Sequence, residues 1–169
     1  MKPDLGNHFP SFSNSMEGAD LEQVLTPRSD EEIAGIETDL GISLPDSYKQ
    51  FLRICGGLWL FGGSVQFGAQ HPFFHNYPPL SELSSIQQRI IEARGGLWPP
   101  PSDGMLCFAE YFLEADGDQV LFDVGDGLKD GEYPVCYYAH SAAPAKVTRV
   151  ANSFGEWLEE RCIPAFAGK

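Results

Sequence analysis

The chain has 169 residues, of which 43% are hydrophobic and 12% aromatic. This length fits one domain with a short extension, and the apolar content is enough for a core, so wholesale disorder is excluded. The 24 Asp and Glu residues outnumber the 11 Lys and Arg residues, giving a net charge of −13. Such a surface repels nucleic acid, whose phosphates are contacted by Lys and Arg, and attracts basic proteins.

Targeting signals are missing from the sequence. No stretch approaches the roughly 20 apolar residues that a membrane helix needs, and residues 1–8 lack the apolar run of a secretory signal. We therefore expect a cytoplasmic protein with no membrane partner. The cysteines are Cys55, Cys107, Cys136 and Cys162. None forms a CxxC pair, so we expect reduced, buried thiols rather than disulfides or zinc ligands.

Residues 1–25 have mixed polarity and no clear period. We interpret them as an N-terminal extension, ordered in part through its apolar side chains. The main domain is predicted to span residues 26–163, and residues 164–169 are predicted to form a C-terminal tail.

Two short helices open the predicted domain. Ser29 and Glu32 form a capping box that begins the first helix, and Gly41 is a typical left-handed end. Pro45 suits the first turn of the second helix, which the glycines at 56–57 end.

The rest of the chain is richer in strands. Residues 58–67 are apolar and predict one strand or a bent hairpin, and Ser81–Arg94 has the period of a third helix. Four further strands are predicted, at 105–113, 119–124, 133–140 and 146–151. Asp116 and Gly117 suit a tight hairpin turn between the first two of these, and Ser153 with Glu156 predicts a capped final helix. Helices around sequential antiparallel strands indicate an α+β fold in a single domain.

These elements follow one another in a distinct pattern, which is an acidic helix, a Leu-Pro corner, an aromatic helix and a closing Gly-Gly. It is carried by Glu32-Ile33, Glu37, Leu40-Gly41-Ile42, Leu44-Pro45, Tyr48, Phe51-Leu52 and Gly56-Gly57. This pattern resembles the opening signature of the SUKH superfamily, which has Asn at the position of Cys55. Later matches in the same order are Phe108-Ala109, Asp116-Gly117-Asp118 and Ser153-Phe154 with Trp157-Leu158.

The resemblance implies a curved, mainly antiparallel sheet flanked by helices. It also implies a non-enzymatic role, because bacterial members bind and neutralise a cognate toxin, often a nuclease, and fungal members regulate cell-wall synthesis. On that basis we expect an immunity protein whose partner is a basic protein toxin. The alternatives are a regulatory or scaffolding module of the fungal kind and a small-ligand domain with a pocket over the sheet. That pocket would be lined by Trp59, Phe61, Trp98 and Phe108.

No residue pattern predicts catalysis, a metal or a cofactor. The acids after Asp116 lack the spacing of an EF-hand loop. His71 and His75 are four apart, but Pro72 opposes a helix through them and no Glu follows His71. His140 beside Ser141 lacks a nucleophile motif. We therefore expect no enzymatic activity.

The acids cluster in residues 103–132, which hold nine Asp and Glu residues against one Lys. If they project outward from two paired strands, they form a negative docking surface to which tyrosines add anchors. The predicted partner-binding residues are Glu110, Glu114, Asp116, Asp118, Asp123, Asp126, Tyr111 and Tyr138.

Overall fold

The computed structural model describes residues 3–16, 21–60, 65–68, 104–111, 118–139, 142–143 and 146–162. The helices are α1 (Pro10–Ser15), α2 (Asp30–Leu40), α3 (Asp46–Ile54) and α4 (Phe154–Glu156), the last continuing as a π-helix, Trp157–Cys162. The strands are β1 (Leu21–Val24), β2 (Gly57–Leu60), β3 (Val65–Gly68), β4 (Met105–Tyr111), β5 (Asp118–Asp123), β6 (Val135–Ala139) and β7 (Lys146–Ala151).

All these strands belong to one sheet. In the described parts of the chain it has seven strands in the order β1 to β7, and each neighbouring pair is antiparallel. The predicted α+β class is therefore confirmed. Residues 58–67 form the hairpin alternative, as β2 and β3. The helix predicted at 81–94 and the turn at 116–117 lie outside the described residues.

The helices pack on one face of the sheet through a cluster of aromatic rings. Phe108 stacks on Phe122, with 4.0 Å between ring centroids. Tyr48 of α3 meets Phe122 at 5.3 Å and Phe154 of α4 at 4.8 Å, both edge to face. Trp157 meets Phe108 edge to face at 5.3 Å. Because aromatic pairs of this geometry contribute beyond their buried area, the cluster fixes both helices on the sheet.

The local signals of α2 have their predicted outcome, and the proline signal of α3 is displaced by one position. The Ser29 side chain accepts from the Glu32 N–H and the Glu32 carboxylate accepts from the Ser29 N–H, which is the capping box. Gly41 ends α2 with a φ of 70°. Since α3 begins at Asp46, Pro45 occupies the position just before the helix.

The final helix departs from its predicted cap. Ser153 Oγ accepts from the Glu156 N–H at 3.0 Å. The Glu156 carboxylate, however, accepts from the N–H of Asn152, one residue before the predicted donor. Only half of the capping box therefore forms.

The described parts of the segment before residue 26, residues 3–16 and 21–25, are folded onto the domain. We call residues 3–16 the strap; its four large apolar side chains are buried, namely Leu5, Phe9, Phe12 and Met16. Strand β1 pairs with β2 and so belongs to the main sheet. The apolar residues of the predicted extension thus contribute to the same fold as residues 26–162.

Tyr48 combines a central position with an unused hydroxyl. Its side chain is fully buried, and its Oη has no hydrogen-bond partner. Burial raises the pKa of Tyr48 well above its usual value. An unsatisfied buried polar group costs about 1–3 kcal/mol, whereas an apolar group of the same shape does not carry this cost.

We predict that Tyr48→Phe raises the free energy of unfolding by about 1 kcal/mol, because it removes the unsatisfied hydroxyl and keeps the ring. The matched control is Tyr133→Phe, which deletes a hydroxyl that donates to the Ser43 carbonyl at 2.9 Å. That variant should lose about 1 kcal/mol. Urea unfolding measures both, and a loss in Tyr48→Phe equal to that of the control would contradict the prediction.

Candidate functional site

The predicted acids that the structure describes lie at or near opposite ends of strand β5. Strand β5 begins at Asp118 and ends at Asp123. At about 3.3 Å per residue, these two positions lie about 17 Å apart. Glu110 and Tyr111 pair with β5 beside Asp118, at the end far from Asp123.

Two of the predicted contact residues are buried, so their placement on an exposed docking surface is wrong. Asp118 is 2% exposed and Tyr138 is 1% exposed. Asp118 Oδ2 accepts a hydrogen bond from Tyr137 Oη at 2.5 Å. Both residues are buried because they lie on inner strands of the sheet. Asp118 is in β5, whose first five residues are all buried, and Tyr138 is in β6.

The remaining predicted residues divide into three groups. Asp123 is half-buried and Asp126 is exposed. For Glu110 and Tyr111, the structure describes only the backbone, which belongs to β4. Glu114 and Asp116 lie outside the described residues. The docking role of these residues stays a prediction.

The acids that the fold does bring together lie where β5 leads into β6. We call this surface the acidic turn and define it as residues 123–132 together with Asp46 of α3. Asp126 has 83% of its side chain exposed and Asp46 has 70%. Asp130 is also exposed. The surface is formed by two separate parts of the chain.

The tip of the acidic turn is a tight two-residue hairpin. Lys129 and Glu132 exchange two backbone hydrogen bonds of 2.9 and 3.0 Å. Between them, Asp130 and Gly131 have φ angles of 52° and 77°. Positive φ at both central residues is typical of the Asp-Gly hairpin turn. From the sequence we expect only a looser turn through Gly125, Gly127 and Gly131; the Asp-Gly pair at 130–131 was the available signal for this tight hairpin.

A carboxylate of the turn fixes it to both neighbouring helices. Glu132 accepts from the Ser47 N–H at 2.8 Å and from Ser47 Oγ at 2.7 Å. Ser47 Oγ in turn accepts from the Gly155 N–H at 3.1 Å. The N–H groups in the first turn of a helix lack intrahelical partners, so Glu132 satisfies one in α3 and Ser47 one in α4.

The backbone brings Asp46 next to the turn. The Asp46 N–H donates to the Gly131 carbonyl at 2.9 Å. A Cβ at Gly131 would collide with the Asp46 carboxylate, and φ is positive there, so glycine suits this close approach. No signal in the sequence linked Asp46 to residues more than 70 positions away, because the contact is purely tertiary.

Lysines neutralise only part of the negative charge of the acidic turn. Lys129 Nζ lies 3.0 Å from Asp126, and Lys49 Nζ lies 3.3 Å from Asp46 and 3.5 Å from Glu37. Exposed pairs of this kind contribute about 0–1 kcal/mol and are screened by salt. The acids therefore remain in excess, and the surface is negative.

The predicted ligand pocket does not assemble as proposed. Phe108 stacks on Phe122 and so lies on the helix-covered face. The strand register places Trp59 of β2 in the same cross-strand row as Gln119 of β5. Because Gln119 alternates with Val120 and Phe122 along β5, Trp59 lies on the face opposite to Phe122. Phe61 and Trp98 lie outside the described residues. The two described members therefore do not line one pocket.

All four cysteines are free and buried, as predicted. Burial raises the pKa of Cys55 to about 12 and raises that of Cys162 as well. Within the described ranges, no group of three or more His, Cys, Asp or Glu residues is arranged to hold a metal ion. Among the helices of those same ranges, none has the length and apolarity to cross a membrane.

We predict that Glu132→Ala lowers the free energy of unfolding by about 1–3 kcal/mol, because Ser47 loses both interactions with the carboxylate. Asp126→Ala is the control, since it removes an exposed acid of the same turn and should change stability by less than about 0.5 kcal/mol. Equal effects in chemical denaturation would show that Glu132 does not hold the turn.

The native thiols should be unreactive. At pH 8 almost no Cys55 is ionised, because the thiolate fraction stays small until the pH nears its raised pKa. We expect a colorimetric thiol reagent to modify fewer than one cysteine per chain under native conditions and four in denaturant. Rapid reaction of the folded protein would contradict the burial of these side chains.

Sequence comparison relates the chain to one known family. A search of curated proteins finds no match for the chain. The sequence profile of the SMI1 / KNR4 family (SUKH-1) matches residues 27–160, which include all elements from α2 to most of the π-helix. This match covers well over half of the 169 residues. The chain therefore belongs to the SMI1/KNR4 (SUKH-1) family.

Proposed function

We propose that this protein is an immunity protein, which binds a cognate toxin through the acidic turn and neutralises it without chemistry. Membership of the family supports an immunity or regulatory role through protein interaction. The observation that carries the finer proposal is the acidic turn, an exposed negative surface held on two helices. The partner is a protein toxin with a basic surface, and a nuclease is the class that fits best, because its cleft must be basic to hold nucleic acid.

The anchoring of the turn favours binding over mere solubility. Glu132 and Ser47 fix the loop between α3 and α4 through three hydrogen bonds of 2.7 to 3.1 Å. Asp46 and Asp126 therefore occupy positions on supported elements. A preorganised site loses less conformational entropy when it binds, so more of its interaction energy becomes affinity.

The charge has a kinetic consequence. Complementary potentials steer two proteins into encounter and raise the association rate 10- to 1,000-fold at low salt. An immunity protein must capture its toxin before the toxin reaches its target. The negative surface gives this protein fast, salt-dependent association, with one immunity chain consumed for each toxin molecule.

A regulatory or scaffolding role, as in the fungal members, is the second candidate. It rests on the same family membership and predicts a different set of partners. Affinity capture from the native host separates the two, because one secreted-toxin partner supports immunity and several resident cellular proteins support scaffolding.

We predict that co-expression with the toxin encoded beside this gene restores growth. Inhibition is stoichiometric, so rescue should rise with the amount of immunity protein and reach a plateau near one chain per toxin. Growth assays at graded induction measure it. If each neighbouring toxin candidate kills equally with and without this protein, the proposed function fails.

We predict that Asp126→Lys slows association with the toxin about 10-fold at low salt and flattens its salt dependence, since it reverses an exposed charge of the acidic turn. The control is Glu22→Lys, which makes the same charge change on the exposed edge strand β1. Stopped-flow association measures both. An equal slowing in the two variants would assign the effect to net charge and not to the acidic turn.

A further inference from the structure

The strap lies outside the part of the chain that the family profile matches, which begins at residue 27. Its apolar side chains are nevertheless as buried as those of the core: Leu5, Phe9, Phe12 and Met16 are each at most 3% exposed. The strap is thus an addition to the family domain that covers an apolar surface on it.

That surface is a groove between two helices. Phe9 meets Phe51 of α3 at 6.4 Å and Phe154 of α4 at 6.3 Å, both edge to face. At the rim, His8 lies 3.2 Å from the Gln50 side-chain nitrogen. We call the surface formed by Phe51, Phe154 and Glu159 the α3–α4 groove.

The groove also holds the beginning of the strap helix. At the N-terminal end of α1, the N-cap residue Phe9 makes no side-chain hydrogen bond to the helix. Instead, Glu159 of the π-helix accepts the Phe12 N–H at 3.1 Å. The second oxygen of Glu159 is buried and has no hydrogen-bond partner, so the groove retains an unused acceptor at this point.

The buried residues of the strap extend beyond its short helix. Phe12 lies in α1, whereas Leu5 precedes the helix and Phe9 and Met16 flank it. The other side of α1 is polar and exposed, at Ser11, Asn14 and Ser15. Helix α1 has only six residues, far fewer than the roughly 12–15 at which an isolated helix becomes marginally stable in water. Its folding therefore depends on docking.

We propose that the α3–α4 groove is a docking site whose ligand is the strap itself, which undocks as a unit while the sheet and α3 remain folded. The strap binds there through the Phe9 ring and through the Phe12 N–H, which Glu159 accepts. This site is separate from the acidic turn and does not rest on the proposed function.

The first test is native-state hydrogen exchange on the unmodified full chain. The N–H groups of Ser13 and Met16 are bonded within the strap, to the carbonyls of Phe9 and Phe12. They should exchange at least 100-fold faster than those of β4 and β5, with little dependence on denaturant. Exchange of the strap and the central strands at one common rate would overturn the proposal.

The second test supplies the strap in trans. The full chain carrying Phe9→Ser and Phe12→Ser should keep its sheet and bind a fluorescent peptide of residues 3–16. The unmodified chain should bind that peptide at least 10-fold more weakly, because its own strap competes at high effective concentration. A peptide with the same two serines is the matched control and should not bind.

The outcomes of this second test are decisive in both directions. A folded variant that ignores the peptide, or equal binding by the variant and the unmodified chain, would overturn the proposal. Loss of the sheet in the variant would also overturn it, since the strap would then be part of the core. A dimer of the unmodified chain that exchanges straps would support it, because the groove would then accept a helix from a second copy.

Discussion

The position of α3 on the sheet is the constraint on which the other features depend. Tyr48 packs edge to face on both Phe122 and Phe154, and so joins a central strand to the final helix. Because aromatic rings of this size fill the core at crystal-like density, α3 has little freedom to shift or rotate. The fixed position of α3 therefore determines where its other side chains make their contacts.

The acidic turn is the first consequence. Ser47 follows Asp46 at the beginning of α3, so the packing of Tyr48 also sets where these two residues lie. Ser47 then binds Glu132 and the Gly155 N–H, while Asp46 reaches the Gly131 carbonyl. The negative surface therefore depends on the core. Its acids lie on one surface because α3, the turn and α4 are joined by hydrogen bonds at the Ser47 hydroxyl.

The α3–α4 groove is the second consequence of the position of α3, and it is formed by another part of the same helix. Phe51 lies one turn beyond Tyr48, and its ring meets both Phe154 and Phe9. The family domain thus offers two surfaces from α3 and α4, an acidic one at their N-terminal ends and an apolar one along their sides.

The sequence by itself determined the features that are local. The Ser29 and Glu32 box and the left-handed Gly41 each depend on residues a few positions apart, and short-range sterics and hydrogen bonds decide them. Only the tertiary structure decided exposure. Asp118 is buried in β5, which lies between two other strands of the sheet, and Asp46 joins the turn because α3 packs beside it. Burial and long-range contacts depend on residues far away in the chain, and no local pattern records them.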